Sequence, residues 1–287
     1  MLRIPLPPAL VEQAAAYASG SLQPVEPRNA ATVVLLRPSA SREGPEVYLL
    51  RRQASMAFAA GMCVFPGGGV DPRDFDADVA WAGPSPMSWA GRLGTDEATA
   101  RALVCAAVRE TFEESGVLLA GTSSSSVVSD TTGEDWEADR VALESRSLSF
   151  TTFLSSRGLV VRTDLLGAWS GWLTPVFEPR RYRTWFFVAS LPAGQVTRDV
   201  STESSSVTWT RAVEAAAAVD AGDLLMLPPT YLTTLEMGLF GAPADVLAAA
   251  SSRGPVEMFM PEVEGSGSSA SLSIPPSLRA LVEQRFS

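Results

Sequence analysis

At 287 residues, with 46% hydrophobic side chains and a formal net charge of −10, the chain can hold one large domain with additions. The acidic balance excludes duplex DNA and anionic membrane surfaces as main partners, since both need a basic footprint. No histidine is present, which removes Ser-His-Asp and Cys-His catalysis and His-ligated zinc together; the two cysteines, Cys63 and Cys105, are too few for a thiolate zinc cage.

In chain order, residues 1–29 form a proline-dotted lead-in around a short alanine-rich helix at 9–18. Residues 31–37, ended by Pro38, predict a buried strand, and 47–52 the second strand of a hairpin. The apolar run 62–65 leads into Pro66-Gly67-Gly68-Gly69, where glycine permits positive φ and close approach of backbone to a ligand. Alone, such a run is a tight turn. Residues 71–94 predict an ordered loop, because Trp81 and Trp89 are costly to leave in water. Cys63 and Cys105 sit in apolar stretches and read as buried thiols, with a disulfide as the alternative.

Thr95 or Asp96 caps the next helix, which runs to about Ser115 and stops at Gly116. Within it Glu110, Glu113 and Glu114 are spaced i, i+3, i+4 and share one side of a turn, while Val104, Val108 and Phe112 face a core on the other. Like charges so crowded cost roughly 0.2–0.5 kcal/mol per pair in an isolated helix. Arg109 is the only counter-charge nearby in sequence, so a hard divalent cation with oxygen ligands is the natural balance. The plain alternative is a solvated helix face with i, i+4 pairs such as Arg109–Glu113.

Residues 121–134 predict a Ser/Thr-rich surface loop, 135–145 and 149–157 two modest helices, and 169–175 and 182–191 β segments. Arg180, Arg181 and Arg183 each read singly as solvated residues, but as a group can meet phosphates. Glu203, ahead of a short strand at 207–210, is a candidate base or extra metal ligand, or simply a surface glutamate. Helices follow at 211–219 and 227–239, the latter with proline in its first turn; 265–271 predicts a flexible linker and the last dozen residues a helical tail. The absence of a cleavable leader pattern and of an 18-residue apolar run leads to the expectation of a soluble cytoplasmic protein.

Arg109-Glu110-x-x-Glu113-Glu114-x-Gly116-Val117 resembles the second half of the Nudix box, G-x5-E-x7-R-E-U-x-E-E-x-G-U, and Gly67-Gly68 after Phe65-Pro66 resembles its first half. The family places the glycine 14 residues before the arginine; here Gly68 and Arg109 are 41 apart, which implies an insertion of 27 residues. The upstream box glutamate falls on Arg101, with Glu97 as a substitute candidate, and the aliphatic position after Glu110 is Thr111. Further stretches, among them Leu49-Leu50-x-Arg52, Phe58, Cys105-Ala106-Ala107, Arg180-Arg181-Tyr182 and Leu227-Pro228-Pro229-Thr230, are similar to the acyl-coenzyme A diphosphatases of the Nudix type 19 group. The C-terminal Arg285-Phe286-Ser287 is not the Ser-Lys-Leu address, so a peroxisomal location is not carried over.

The resemblance implies an α/β (α+β) fold, a Nudix-type α/β/α sandwich with a mixed sheet and a long insertion in the box. It divides the chain into a lead-in at 1–29, a Nudix domain at 30–260 with the insertion at about 70–96, and a linker and tail at 261–287. It implies Mg²⁺ or Mn²⁺ as cofactor, held by Glu110, Glu113, Glu114 and the Gly67 carbonyl. Glu110 is then the first-choice base and Glu203 the second; Arg109 orients the glutamates. Arg52, Gly68, Arg180, Arg181 and Arg183 become substrate-binding candidates. The implied reaction is hydrolysis of a diphosphate in coenzyme A or acyl-coenzyme A, giving 3′,5′-ADP and 4′-phosphopantetheine or its acyl form. A pyrophosphatase for ADP-ribose, NADH or another nucleoside diphosphate derivative is the rival, and an inactive Nudix-fold ligand-binding regulator is the reading from another class. A small nucleoside diphosphate derivative is thus the partner, with no nucleic acid or membrane, and a homodimer is left open.

Overall fold

The computed structural model describes residues 6–41, 43–55, 59–266 and 269–286; Phe58 lies outside them. The chain clusters into two compact units, one of Ala30–Ser170 and Trp185–Glu257, the other of Met1–Asn29, Gly171–Thr184 and Met258–Ser287.

In the larger unit Arg28–Pro38 and Pro45–Arg52 pair antiparallel, with Leu36 opposite Val47 and Pro38 opposite Pro45. Val33 to Leu36 and Val47 to Leu50 are buried without alternation, so both faces of these strands are covered. Ser204–Arg211 pairs antiparallel with the outer side of Pro45–Arg52, placing Val207 opposite Leu50. The sheet continues from Arg28–Pro38 through Tyr182–Ser190 to Leu166–Leu173. Gly67–Gly69 is a short strand antiparallel to Ala30–Thr32. None of the three takes the positive φ that glycine permits; what they supply is a bare backbone at close quarters.

The insertion is built rather than merely ordered. It holds a 3₁₀ turn at Pro72–Phe75, a strand at Trp81–Ala82 and a helix at Pro86–Leu93 capped by Ser85. Trp81–Ala82 runs parallel to Val160–Arg162, which is antiparallel to Ala120–Gly121, so this second sheet is mixed. Trp89 is fully buried, 5.8 Å from the ring of Phe187.

The helix Glu97–Ser115 begins where Asp96 Oδ1 accepts the Thr99 N–H at 2.9 Å and ends at Gly116, left-handed at φ 74°. Its Phe112 stacks on Phe153 at 5.4 Å and meets Trp136 edge-on. It also packs on the Gly67–Gly69 strand and the Pro72–Phe75 turn. Covered on both sides, it buries Glu113 and Glu114 as well as its apolar stripe. The solvated-face alternative is thereby excluded.

A helix at Pro243–Ser252, for which the sequence raised no expectation, is followed by Arg253, whose guanidinium lies 3.5 Å from the Trp169 ring centroid and donates to Glu236 at 2.7 Å. In the smaller unit the helix Pro8–Ala18 is tied by Gln13 Nε2, which donates to the Phe177 carbonyl at 2.8 Å. Met258–Phe259 runs parallel to Gly171–Trp172. Val263–Glu264 pairs antiparallel with Ser271–Leu272, and Ala270 and Ser271 are buried. The linker expected at 265–271 is thus bounded by a hairpin, because backbone pairing at its ends overrides its Gly/Ser composition. Among the described residues no helix is long and apolar enough to cross a membrane.

Candidate active site

The glycine strand and the glutamate helix meet at one corner. The Gly67 N–H donates to Glu114 Oε2 at 2.8 Å. A Cβ on Gly67 would strike the Ala31 carbonyl oxygen and lie 2.7 Å from Thr32 Cα; one on Gly68 would lie 2.5–2.6 Å from the carboxyl atoms of Glu110. Glycine at 67 therefore lets two strands close, and glycine at 68 leaves room for a carboxylate. Glu113 and Glu114 are only 7% and 8% exposed, and Thr111, in the aliphatic box position, is fully buried with its hydroxyl donating to the Ala107 carbonyl at 2.7 Å. That local bond lets a polar residue occupy an apolar place.

Arg109 binds the carboxylates into a network. Its Nη1 donates to Glu110 at 2.7 Å and to Glu113 at 3.2 Å, and its Nη2 donates to the Gly69 carbonyl at 3.1 Å. The other edge of the fork, Nε and Nη2, donates to Asp74 at 3.0 and 2.8 Å. Asp74 is 2% exposed and was not singled out from the sequence. Its only sequence signal is the Asp71-Pro72-Arg73-Asp74 capping pattern, in which Asp74 Oδ2 accepts the Asp71 N–H at 2.8 Å.

Glu97 is corrected as a substitute ligand: it is exposed in the first turn, and thirteen residues at about 1.5 Å each put it roughly 20 Å along the helix from Glu110. Arg101 donates to the Ala77 carbonyl at 3.5 Å and lies over the Trp81 ring. Arg52 Nη2 donates to Glu203 at 3.0 Å, and the Glu203 charge is felt at both Glu110 and Glu114. Sequence reasoning placed Arg52 and Glu203 in separate roles; the fold makes them partners. Arg180, Arg181 and Arg183 belong to the smaller unit. There Arg181 is 8% exposed and its guanidinium donates to the carbonyls of Thr174 and Val25, so its fork serves backbone rather than standing ready for phosphate. Arg183 donates to Asn29 at 3.4 Å, and Arg180 is exposed. Cys63 and Cys105 are free buried thiols. The depression lined by Glu43, Pro45, Arg211, Val213, Gly238 and Phe240 holds none of the residues singled out from the sequence.

Burial raises the pKa values of Glu110, Glu113 and Glu114. Desolvation, then the Glu110 charge, pushes Glu113 up to about 7 and Glu114 well above the carboxylate range; desolvation raises Glu110, with Arg109 opposing. Arg109 is itself penalised by burial, yet its carboxylate neighbours hold it charged. Among the described residues no three acidic or thiol side chains converge on one metal-holding point; Arg109 and the Gly67 amide engage these carboxylates instead. The donor chemistry still fits a hard divalent cation: oxygen ligands only, desolvated, and more carboxylates than the one arginine can balance.

Burial of Glu113 makes stability depend on pH. A carboxyl whose folded value exceeds its unfolded value of about 4.3 stabilises the fold fully below that unfolded value, and the contribution is lost as pH climbs towards about 7. Thermal melting should therefore show Mg²⁺ or Mn²⁺ raising Tm more at about pH 8 than at about pH 6. An equal rise at both values would mean that these carboxylates do not receive the ion.

The family model described as the NUDT19 Nudix domain matches residues 93–236. The acyl-coenzyme A diphosphatase NUDT19 of Xenopus laevis is 28% identical over 224 residues, 65% of this chain and 58% of that protein. The putative nudix hydrolase 7 of Caenorhabditis elegans is 26% identical over 207 residues, 70% of this chain and 57% of that one. The chain thus spans less than two thirds of either relative. A solved structure of a NUDIX hydrolase from Alicyclobacillus acidocaldarius superposes with a TM-score of 0.67 at 25% identity, covering 80% of this chain and 98% of that one. The α/β/α sandwich with a mixed sheet is accordingly the fold of this chain. With half its length under that model and its glutamate helix docked on its glycine strand, the chain belongs to the Nudix hydrolase family, in the NUDT19 branch.

Proposed function

We propose that the chain is a divalent-cation-dependent diphosphatase that hydrolyses coenzyme A or acyl-coenzyme A to 3′,5′-ADP and 4′-phosphopantetheine or its acyl form. The observation that carries the reading is the set of buried glutamates with raised pKa values at the glycine corner, a charge excess that makes sense when a cation is present. The coenzyme A substrate is supported by the activity for which the Xenopus relative is named. Glu110, Glu113 and Glu114, with the Gly67 carbonyl, would hold Mg²⁺ or Mn²⁺. When bound, the ion neutralises diphosphate charge and makes a water more acidic.

The residues do the rest. Glu110 accepts the proton of the attacking water, with Glu203 as second choice. Water's oxygen bonds to one phosphorus, the bridging P–O bond breaks, and the proton ends on the departing phosphate. Arg109 keeps Glu110 and Glu113 in fixed places by charge-assisted hydrogen bonds. Arg52, held by Glu203, and Gly68, whose missing side chain leaves room for the Glu110 carboxyl, would meet the phosphates.

The test is a substrate panel with Mg²⁺ or Mn²⁺ comparing coenzyme A, acetyl-coenzyme A, ADP-ribose and NADH. Coenzyme A compounds should turn over fastest. ADP-ribose or NADH turnover with coenzyme A inert would keep the chemistry and overturn the substrate; no turnover of any compound would favour a ligand-binding regulator.

A further inference from the structure

We infer that Asp74, supplied by the insertion, is a positioning residue for the glutamate set: by clamping one edge of Arg109 it leaves a single Nη1 to be shared by Glu110 and Glu113, so that neither carboxylate is captured in a bidentate pair. The inference deepens the cation reading above and rests on it.

The geometry is a fork on a fork. Asp74 Oδ1 accepts from Nε at 3.0 Å and Oδ2 from Nη2 at 2.8 Å, while Nη1, on the far side of the same plane, spans Glu110 and Glu113. Parallel two-point pairing of this kind fixes the guanidinium plane as well as its charge. The Asp74 side chain is 1% exposed and has no freedom of its own, because Oδ2 also accepts the Asp71 N–H and Pro72 presets the turn. The Gly69 carbonyl accepts from Nη2 as well, so one guanidinium joins the insertion, the glycine strand and the helix.

Remove the Asp74 charge and the fork loses its two-point acceptor in a largely buried place. The nearest remaining carboxylates are Glu110 and Glu113, and a two-point pair with either would spend on arginine the charge that a cation needs. A residue 35 positions upstream of Arg109, in the insertion and at none of the motif's defined positions, thus decides how much negative charge the box glutamates can offer.

The full-length chain carries the test, with Mn²⁺ binding read from the loss of the free-ion electron paramagnetic resonance signal, independently of turnover. Asp74→Asn keeps the size and removes the charge; it should weaken Mn²⁺ binding about ten-fold or more, the usual cost of losing a partner that orients metal ligands. Asp74→Glu keeps the charge and should bind near the wild-type value. Asp71→Ala removes the cap side chain but leaves the backbone N–H and the Asp74–Arg109 pair; it should lower Tm with Mn²⁺ binding unchanged. Wild-type affinity in Asp74→Asn, or equal weakening in Asp71→Ala or Asp74→Glu, overturns the clamp alone. A wild-type chain that takes up no Mn²⁺ overturns the cation reading and the clamp with it.

Discussion

Glu114→Gln is expected to reduce metal-dependent turnover on the order of 10³-fold, within the range seen when a single charged group at a reaction centre is lost. The amide oxygen can still accept the Gly67 N–H, so the corner stays closed. Because burial and the Glu110 charge already oppose ionisation at 114, the neutral side chain removes a cost from the cation-free fold. The variant should therefore melt at or above the wild-type temperature without metal and gain little when Mg²⁺ is added. Glu113→Gln should behave the same way, since Arg109 Nη1 keeps its Glu110 partner. Dead enzyme with a raised cation-free Tm is a signature that simple misfolding cannot produce. Undiminished turnover in both variants would sink the metal assignment.

The glycine run provides the second large effect, and it separates fold from site. Gly67→Ala drives a methyl into the backbone of Ala31 and Thr32, inside a core strand that cannot retreat. A loss of about 2–3 kcal/mol is expected, read as a Tm fall of roughly 5–10 °C for a chain of this size. Gly68→Ala places its methyl against the end of a side chain, the Glu110 carboxyl, which can move aside. That variant should stay folded and lose activity. At Gly69 nothing lies within 4 Å of the added carbon, so Gly69→Ala should be near neutral in both readings. A graded series with the largest Tm fall at 69, or with full activity at 68, would contradict the corner described above.

Much of this arrangement is written locally in the chain. The helix bounds follow from an aspartate cap at 96 and a glycine stop at 116, the buried hairpin from β-branched runs around Pro38, and the acidic turn from i, i+3, i+4 spacing. Each depends on neighbours within a few residues, so composition and periodicity suffice to read them. The box motif belongs here too, because its three glutamates sit on one turn of one helix.

Partnerships at long separation are set by the folded backbone instead. The partnership of Arg109 with Asp74 closes over 35 positions and that of Arg52 with Glu203 over 151; neither leaves a period or a spacing to detect. Burial of the glutamates depends on what covers the helix, namely a glycine strand on one side and Phe153 with Trp136 on the other. Likewise Glu97 looked interchangeable with a box ligand until the rise of the helix set it apart, and Arg181 looked ready for phosphate until carbonyls from Thr174 and Val25 met its fork. A sequence states which charges exist, whereas their depth and partners, and hence their pKa values, are properties of the space the folded backbone encloses.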